Sequence, residues 1–254
     1  VTIHPSGDHA IAEVEAGCLL GSDYSDQTGA TWNASLSHQL HEAGYALDAL
    51  GGVSHQAIGG CLGTATAGGS VKYALLDNLV RFQLVDGTGT LHDVRRDDPD
   101  ADKRELFFAA GTSMGLLGVM VKVWLRVGRT YNVVGAEESR AFDDAPMDLT
   151  GQGGDGKKSL AEYLRDTDYA RLLWWPQHDL NRVQLWWCER REPTPDFERK
   201  PFHILDTPSS LAGSFFLTII GNLDDLGHAP LGRFFRQIDR ALDGKTVDAA
   251  HHPD

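Results

Sequence analysis

Residues 51–70, GGVSHQAIGGCLGTATAGGS, place seven glycines in twenty positions, with Ser54, Thr64, Thr66 and Ser70 among them and almost no charge. Glycine lets the main chain turn freely and lets a ligand come into van der Waals range of bare backbone. Small hydroxyl side chains add hydrogen-bonding groups, and N–H groups fanned around a turn form a nest for an anion such as a pyrophosphate. The chemistry this stretch offers is therefore cradling of a phosphate-bearing ligand. A flexible linker would be polar throughout, whereas this one carries Val53, Ile58, Cys61 and Leu62. No Gly-Lys-Ser/Thr closes a Walker loop, and Gly59, Gly60 and Gly63 follow no clear strand, as a dinucleotide fingerprint would require.

The other reactive side chains read as structural. His38 and His41 sit one helical turn apart, but no further ligand is spaced to join them on a metal, so a solvated helix face explains them. His251 and His252 belong to a terminus. Cys18, Cys61 and Cys188 are odd in number without metal-ligand spacing, which suits a reducing compartment or core packing. Trp174, Trp175, Trp186 and Trp187 fall in one hairpin and could wall a sugar ring. Paired tryptophans on alternate faces more often cover a sheet on both sides. His178, Glu189 and Arg190, near that hairpin, read as exposed strand-end charges.

Elements that would position the glycine-rich stretch follow from periodicity. A short strand over 11–14 ends at Ala16-Gly17, and Thr31 caps a helix over 32–43 with Leu36 and Leu40 on its buried face. Alternation over 79–85, a turn at 86–89 and a return over 90–94 predict a β-hairpin. A helix over 102–110 buries Leu106, Phe107 and Ala110. Then Val119, Val121, Val123, Leu125 and Val127 alternate with Met120, Lys122, Trp124 and Arg126 as a strand with one apolar face. Beyond residue 129, Ser159–Glu162 reads as a capping box, strands follow over 171–175 and 182–190, and an apolar run covers 211–220. Leu231, Phe234, Phe235, Ile238 and Leu242 trace an amphipathic helix.

With 254 residues the chain holds one large domain or two smaller ones. A net charge of −13 opposes nucleic acid and anionic membrane surfaces as partners. The apolar runs are too short to span a bilayer and no secretory leader is read, so the expected setting is cytoplasmic.

Three stretches in order, Val14-Glu15-Ala16-Gly17, the run 51–70 and Gly115-Leu116-Leu117-Gly118-Val119, resemble the second flavin-binding subdomain of the vanillyl-alcohol-oxidase superfamily. Within it, the resemblance is to the aldonolactone and alditol oxidases, whose flavin domain is of the PCMH type. The Trp-Trp-Pro run at 174–176 is a looser match to their substrate domain. The resemblance implies an α+β protein: an FAD-binding antiparallel sheet with flanking helices over 1–128, then an incomplete, mostly antiparallel substrate domain over 129–254. It implies FAD as cofactor, held by Gly51, Gly52, Ser54, Gln56, Gly59, Gly60, Thr64, Thr66, Gly68, Gly69 and Ser70, with Gly118 and Val119 as backbone contacts. It further implies hydride transfer from a CH–OH group of a sugar-like alcohol, polyol or aldonolactone, with O2 as acceptor. The alternative is a carbohydrate- or nucleotide-binding module without redox chemistry.

Departures from the family pattern accompany these matches. Ala67 stands where many relatives carry a histidine. The first flavin subdomain, with its covalent-linkage histidine, and the catalytic strand have no counterpart, so a fragment of a longer protein is expected and no catalytic residue is assigned. Cys61 does not match a flavin-linking cysteine and reads as packing.

Overall fold

The computed structural model describes residues 1–197 other than 24, 27 and 177–180, together with the backbone of Val247–His251. Two compact units emerge, one from Val1–Val133 with Arg190–Phe197, the other containing Val134–Glu189 and Val247–His251. The expected apolar run at 211–220 and helix through Leu231 and Leu242 lie outside the described residues, as do His178 and His252.

Alternating sequence builds the sheet of the first unit. Ala10, Ala12 and Val14 are fully buried along β2 (His9–Glu15), while Ile11 and Glu13 face the other side. β2 pairs with β1 (Thr2–Ser6) and with β6 (Val119–Arg129), which pairs in turn with β4 (Leu79–Val85). The hairpin partner β5 (Leu91–Arg95) closes the order β1-β2-β6-β4-β5, antiparallel throughout, and the two-residue β3 (Tyr45–Ala46) extends β6. Helices cover the apolar face. α2 (Leu36–Glu42) contributes Leu36 and Leu40, α3 (Ile58–Gly63) contributes Ile58, Cys61 and Leu62, and α5 (Ala101–Ala110) contributes Phe107 and Ala110. Asp100 caps α5 by accepting from the Asp102 and Lys103 amides. The short α4 (Leu75–Asn78) leads into β4.

Two expectations are corrected here. The helix placed over 32–43 is broken into α1 (Ala30–Ala34) and α2. Ser35 takes extended backbone between them and its hydroxyl caps α2 through the His38 amide; Thr31 lies inside α1 and accepts from the Asp23 amide. In β6, Val123, Leu125 and Val127 are buried as expected, but Val119 and Val121 are exposed. The pairing slips between Gln83↔Lys122 and Leu84↔Met120, so Val121 is an extra residue, a β-bulge. Because side chains alternate with a period of two, one extra residue turns the rest of the strand over, bringing Met120 inward beside Leu84.

In the second unit, β7 (Asn132–Ala141), β10 (Tyr169–Trp175), β11 (Arg182–Arg191) and β12 (Val247–His251) form a sheet in the order β10-β11-β7-β12. β8 (Met147–Asp148) and β9 (Lys158–Ser159) make a short parallel pair before α6 (Leu160–Asp166), whose capping box joins Ser159 and Glu162 reciprocally. The hairpin register sets Trp174 and Trp187 on one face with Val183 and Leu185, and Trp175 and Trp186 on the other. Val183 and Leu185 are buried and Trp187 packs with the small core around Leu185 and Met147. The tryptophans thus cover a sheet on both sides. All three cysteines are free thiols, and burial pushes the Cys188 thiol up to about 11.

Candidate functional site

The chain segment after β2 runs against the segment before α3. Leu20 donates its amide to the Gln56 carbonyl, Ile58 donates to Cys18 and Gly59 donates to Ala16, each at 2.9 Å. This zipper draws α3 so close that a Cβ on Gly59 would lie 2.8 Å from the Ala16 Cβ, so only glycine fits. The loop after α5 is tied to the far end of the same helix, where Met114 donates its amide to the Gly63 carbonyl at 2.8 Å. That loop enters β6 through Gly118, whose φ of 143° and packing against the Val85 carbonyl both require glycine.

Between these three segments lies a cavity of about 540 Å³, within the range of small-molecule and cofactor sites. Ala16 and Gly17 border one side, Gly59, Gly60, Gly63 and Thr64 another, and Gly115, Gly118 and Val119 a third. Leu84, Ala110 and Met120 supply apolar walls, and Ser113 and Met114 complete the lining. An added Cβ at Gly60 or Gly63 would meet nothing within 4 Å, so both glycines leave bare backbone toward open space. The rim is apolar and exposed at Met114, Leu116 and Val119, the character of a surface that receives a ligand or another chain.

None of the lining residues ionises. Among the described residues no aspartate or glutamate lines this cavity, which spares an anionic ligand repulsion. Equally, no lysine or arginine among the described residues lines it to neutralise one. Phosphate oxygens would find main-chain amides and the Ser113 hydroxyl, the Thr64 hydroxyl proton being given to the Gly60 carbonyl. Bare glycine backbone and apolar walls fit the flat rings and sugar of a flavin dinucleotide. Among the described residues its lining holds no acid or base for proton transfer.

Of the residues predicted from sequence, Gly59, Gly60, Thr64, Gly118 and Val119 meet at this cavity. The others fall outside its lining, and most of them form a packed support. A Cβ on Gly68 would lie 2.6 Å from the Leu50 carbonyl, and one on Gly51 would lie 2.5 Å from the Thr66 methyl. Gln56 donates to the Thr66 hydroxyl at 3.1 Å, Thr66 shares a hydrogen bond with Thr64 at 2.9 Å, and Thr64 donates to the Gly60 carbonyl at 2.9 Å. The Ser70 hydroxyl accepts from the Lys72 and Tyr73 amides, and the Ser54 carbonyl accepts from the Gly21 amide. Gly52 and Gly69 are exposed.

Ser113, Met114 and Leu84 were not among the predicted residues. In sequence the first two are marked only by lying between Gly111 and Gly115; that Met114 itself takes a positive φ, followed by Gly115, shows only in the structure. Arg190 is also corrected. It is half-buried, donates to the Asp48 carboxylate at 2.9 Å and to the Asp48 carbonyl at 2.6 Å, and lies over the rings of Tyr73 and Tyr131. Asn78 donates to the same carboxylate at 2.6 Å, so Arg190 braces the loop that carries Leu50 and Gly51.

No family model matches the chain. The D-arabinono-1,4-lactone oxidase of Kluyveromyces lactis is 34% identical over 166 residues, 65% of this chain and 28% of that protein. That of Candida glabrata is 33% identical over 123 residues, 47% of this chain and 23% of that one. Over these stretches the chain is similar in sequence to D-arabinono-1,4-lactone oxidases. Bovine L-gulonolactone oxidase is 27% identical over 167 residues, 65% of this chain and 32% of the relative. The chain thus spans about a quarter to a third of these relatives' length. Among solved structures, cholesterol oxidase from B. sterolicum superimposes with a TM-score of 0.62 at 16% identity, covering 98% of this chain and 46% of its own. A solvent-stable cholesterol oxidase gives 0.58 at 18%, covering 87% and 41%. At these identities the likeness is one of fold: an α+β chain built on antiparallel sheets.

Proposed function

We propose that this chain carries part of the FAD site of an oxidase acting on a CH–OH group of a sugar-like lactone, polyol or alcohol. The observation that carries this reading is the convergence of three separate sequence segments on one uncharged cavity with exposed glycine backbone. The names of the sequence relatives support the substrate class. In this reading residues 1–128 hold the cofactor and residues 129–254 contribute to substrate binding.

When bound, FAD supplies a two-electron acceptor for the hydride of the carbinol carbon, and O2 then takes the electrons to give H2O2. The chain's own residues position that group. Gly60 and Gly63 leave one wall open for close approach, Gly118 and Val119 present main-chain groups at the edge, and Ser113 offers a hydroxyl. The packed loops around Gly51, Gln56, Thr66 and Gly68 fix Thr64 and the end of α3. Apolar walls at Leu84, Ala110 and Met120 exclude water from flat rings. A cytoplasmic setting fits the three free thiols, and among the described residues no helix is long and apolar enough to cross a membrane.

The test is an absorbance spectrum, across the flavin window of roughly 300–550 nm for protein-bound FAD, on protein expressed from the complete gene, before and after acid precipitation. Flavin peaks are expected, followed by peroxide release in a screen of aldonolactones and polyols. A colourless protein that takes up no added FAD would overturn the proposal in favour of a binding module without redox chemistry.

A further inference from the structure

The first unit's sheet has a second face, turned away from the helices. Register places Glu13, Trp124, Arg81 and Arg95 in one row across β2, β6, β4 and β5, with Glu15, Lys122, Gln83 and Asp93 in the next. Most of its charge is matched. Lys122 donates to Glu13 at 2.8 Å, which holds the Glu13 carboxyl below its ordinary range, and Arg81 grips Asp93 through two nitrogens. Trp124 is fixed beneath, its indole N–H on Glu13 and the Arg81 guanidinium 4.0 Å from its ring centre.

At one end of this face a groove of about 400 Å³ opens between Arg81, Arg95, Arg96 and Arg126, with Trp124 beneath and Asp97 as its one carboxylate. Two of the four guanidiniums are committed. Arg81 holds Asp93, and Arg96 donates to the carbonyls of Leu76 and Leu79. Arg95 and Arg126 are exposed and make no hydrogen bond or ion pair among the described residues. Arg95 lies two strands from β6, and Arg126 two residues along from Trp124, so their α-carbons are roughly 12 Å apart from strand spacing and rise. Two extended arginine side chains span that gap and can meet on one ligand. Arg95 contributes to the field that lowers the neighbouring Asp93 carboxyl, yet its guanidinium, like that of Arg126, is engaged by no carboxylate among the described residues. In a chain whose acidic residues outnumber its basic ones by 36 to 23, both therefore keep their donors open over the Trp124 floor. A guanidinium presents a planar fork that matches phosphate oxygens two at a time.

We propose that this groove binds a small phosphate-class oxyanion, the phosphate or pyrophosphate group of a soluble phosphorylated metabolite, between Arg95 and Arg126. The site stands on the opposite face from the glycine-lined cavity and does not depend on the flavin reading.

Isothermal titration of the chain with inorganic pyrophosphate and phosphate, at constant ionic strength, tests it. One saturable site per chain is expected, at least tenfold weaker in Arg95→Ala and in Arg126→Ala and lost in the double variant. The double lysine variant should fall between, keeping charge without the fork. Both side chains face solvent, and unchanged urea midpoints and FAD uptake check that the fold and the cavity persist. Wild-type affinity in the double alanine variant would overturn the proposal. So would loss of FAD uptake together with pyrophosphate binding, which would put the anion in the other cavity. Tighter binding of an acidic peptide than of pyrophosphate would replace the metabolite with a protein partner.

Discussion

Replacing Gly60 by alanine separates a glycine kept for folding from one kept for a ligand. Gly60 lies within α3, its φ is not positive, and an added methyl would meet no atom within 4 Å. Folding alone should therefore favour the change, because alanine in a helix interior is better than glycine by about 0.5–1 kcal/mol. The methyl projects into the cavity, however, where a close-packed ligand would have to move. Forcing one extra methyl into a packed contact costs about 1–3 kcal/mol, a weakening of about 5- to 150-fold in affinity. Urea denaturation without cofactor should show a midpoint equal to or above wild type, while fluorescence titration should show weaker FAD binding. Opposite signs in the two assays are the signature of ligand space. A variant that is more stable and binds FAD as tightly as wild type would refute the reasoning, because the bare backbone at Gly60 would then face nothing that matters.

Other substitutions probe the frame. Gly118→Ala must abandon a φ of 143° and push back the Val85 carbonyl; a loss of about 2–5 kcal/mol is expected from strain and overpacking together, read as a lower urea midpoint. Asp48→Ala leaves the half-buried Arg190 without its carboxylate. A loss of about 1–2 kcal/mol is expected for this partly exposed pair, with the urea midpoint as its measure. Arg81 holds the Asp93 carboxyl at about 2, below the ordinary aspartate value. Its contribution is therefore fully present above roughly pH 4 and is lost as pH falls toward the folded value. Arg81→Met should flatten that part of an acid-denaturation curve; an unchanged acid limb would count against the pair.

Local patterning made much of this fold readable. Alternation in β2 and β4, the hairpin between β4 and β5, the Ser159 capping box and the two-faced tryptophan hairpin all depend on residues near one another in sequence. Glycines forced by contact were equally visible as glycines, but not their reasons. Gly59 is fixed by Ala16, more than forty positions earlier, and Gly51 by the Thr66 methyl. That is why one glycine-rich run read as a single cradle divides into a cavity wall and a supporting loop. The break at Ser35, the turned-over end of β6 and the brace at Arg190 escaped for a related reason. Each is set by a partner strand or loop that no local period records.

The bulge at Val121 bears on how the protein tolerates change. Toward its end, β6 stitches the core with Val123, Leu125 and Val127; at its start it supplies Val119 and Met120 to the cavity. One surplus residue separates these duties. Pairing without the bulge, with Val121 opposite Leu84, would leave the helices seated on the same core while turning the cavity's margin inside out, Met120 to solvent and Val119 inward; deleting Val121 itself would keep Met120 opposite Leu84. Changes of register near this point are thus a route by which descendants of the fold lose or rebuild a binding site without first losing the ability to fold.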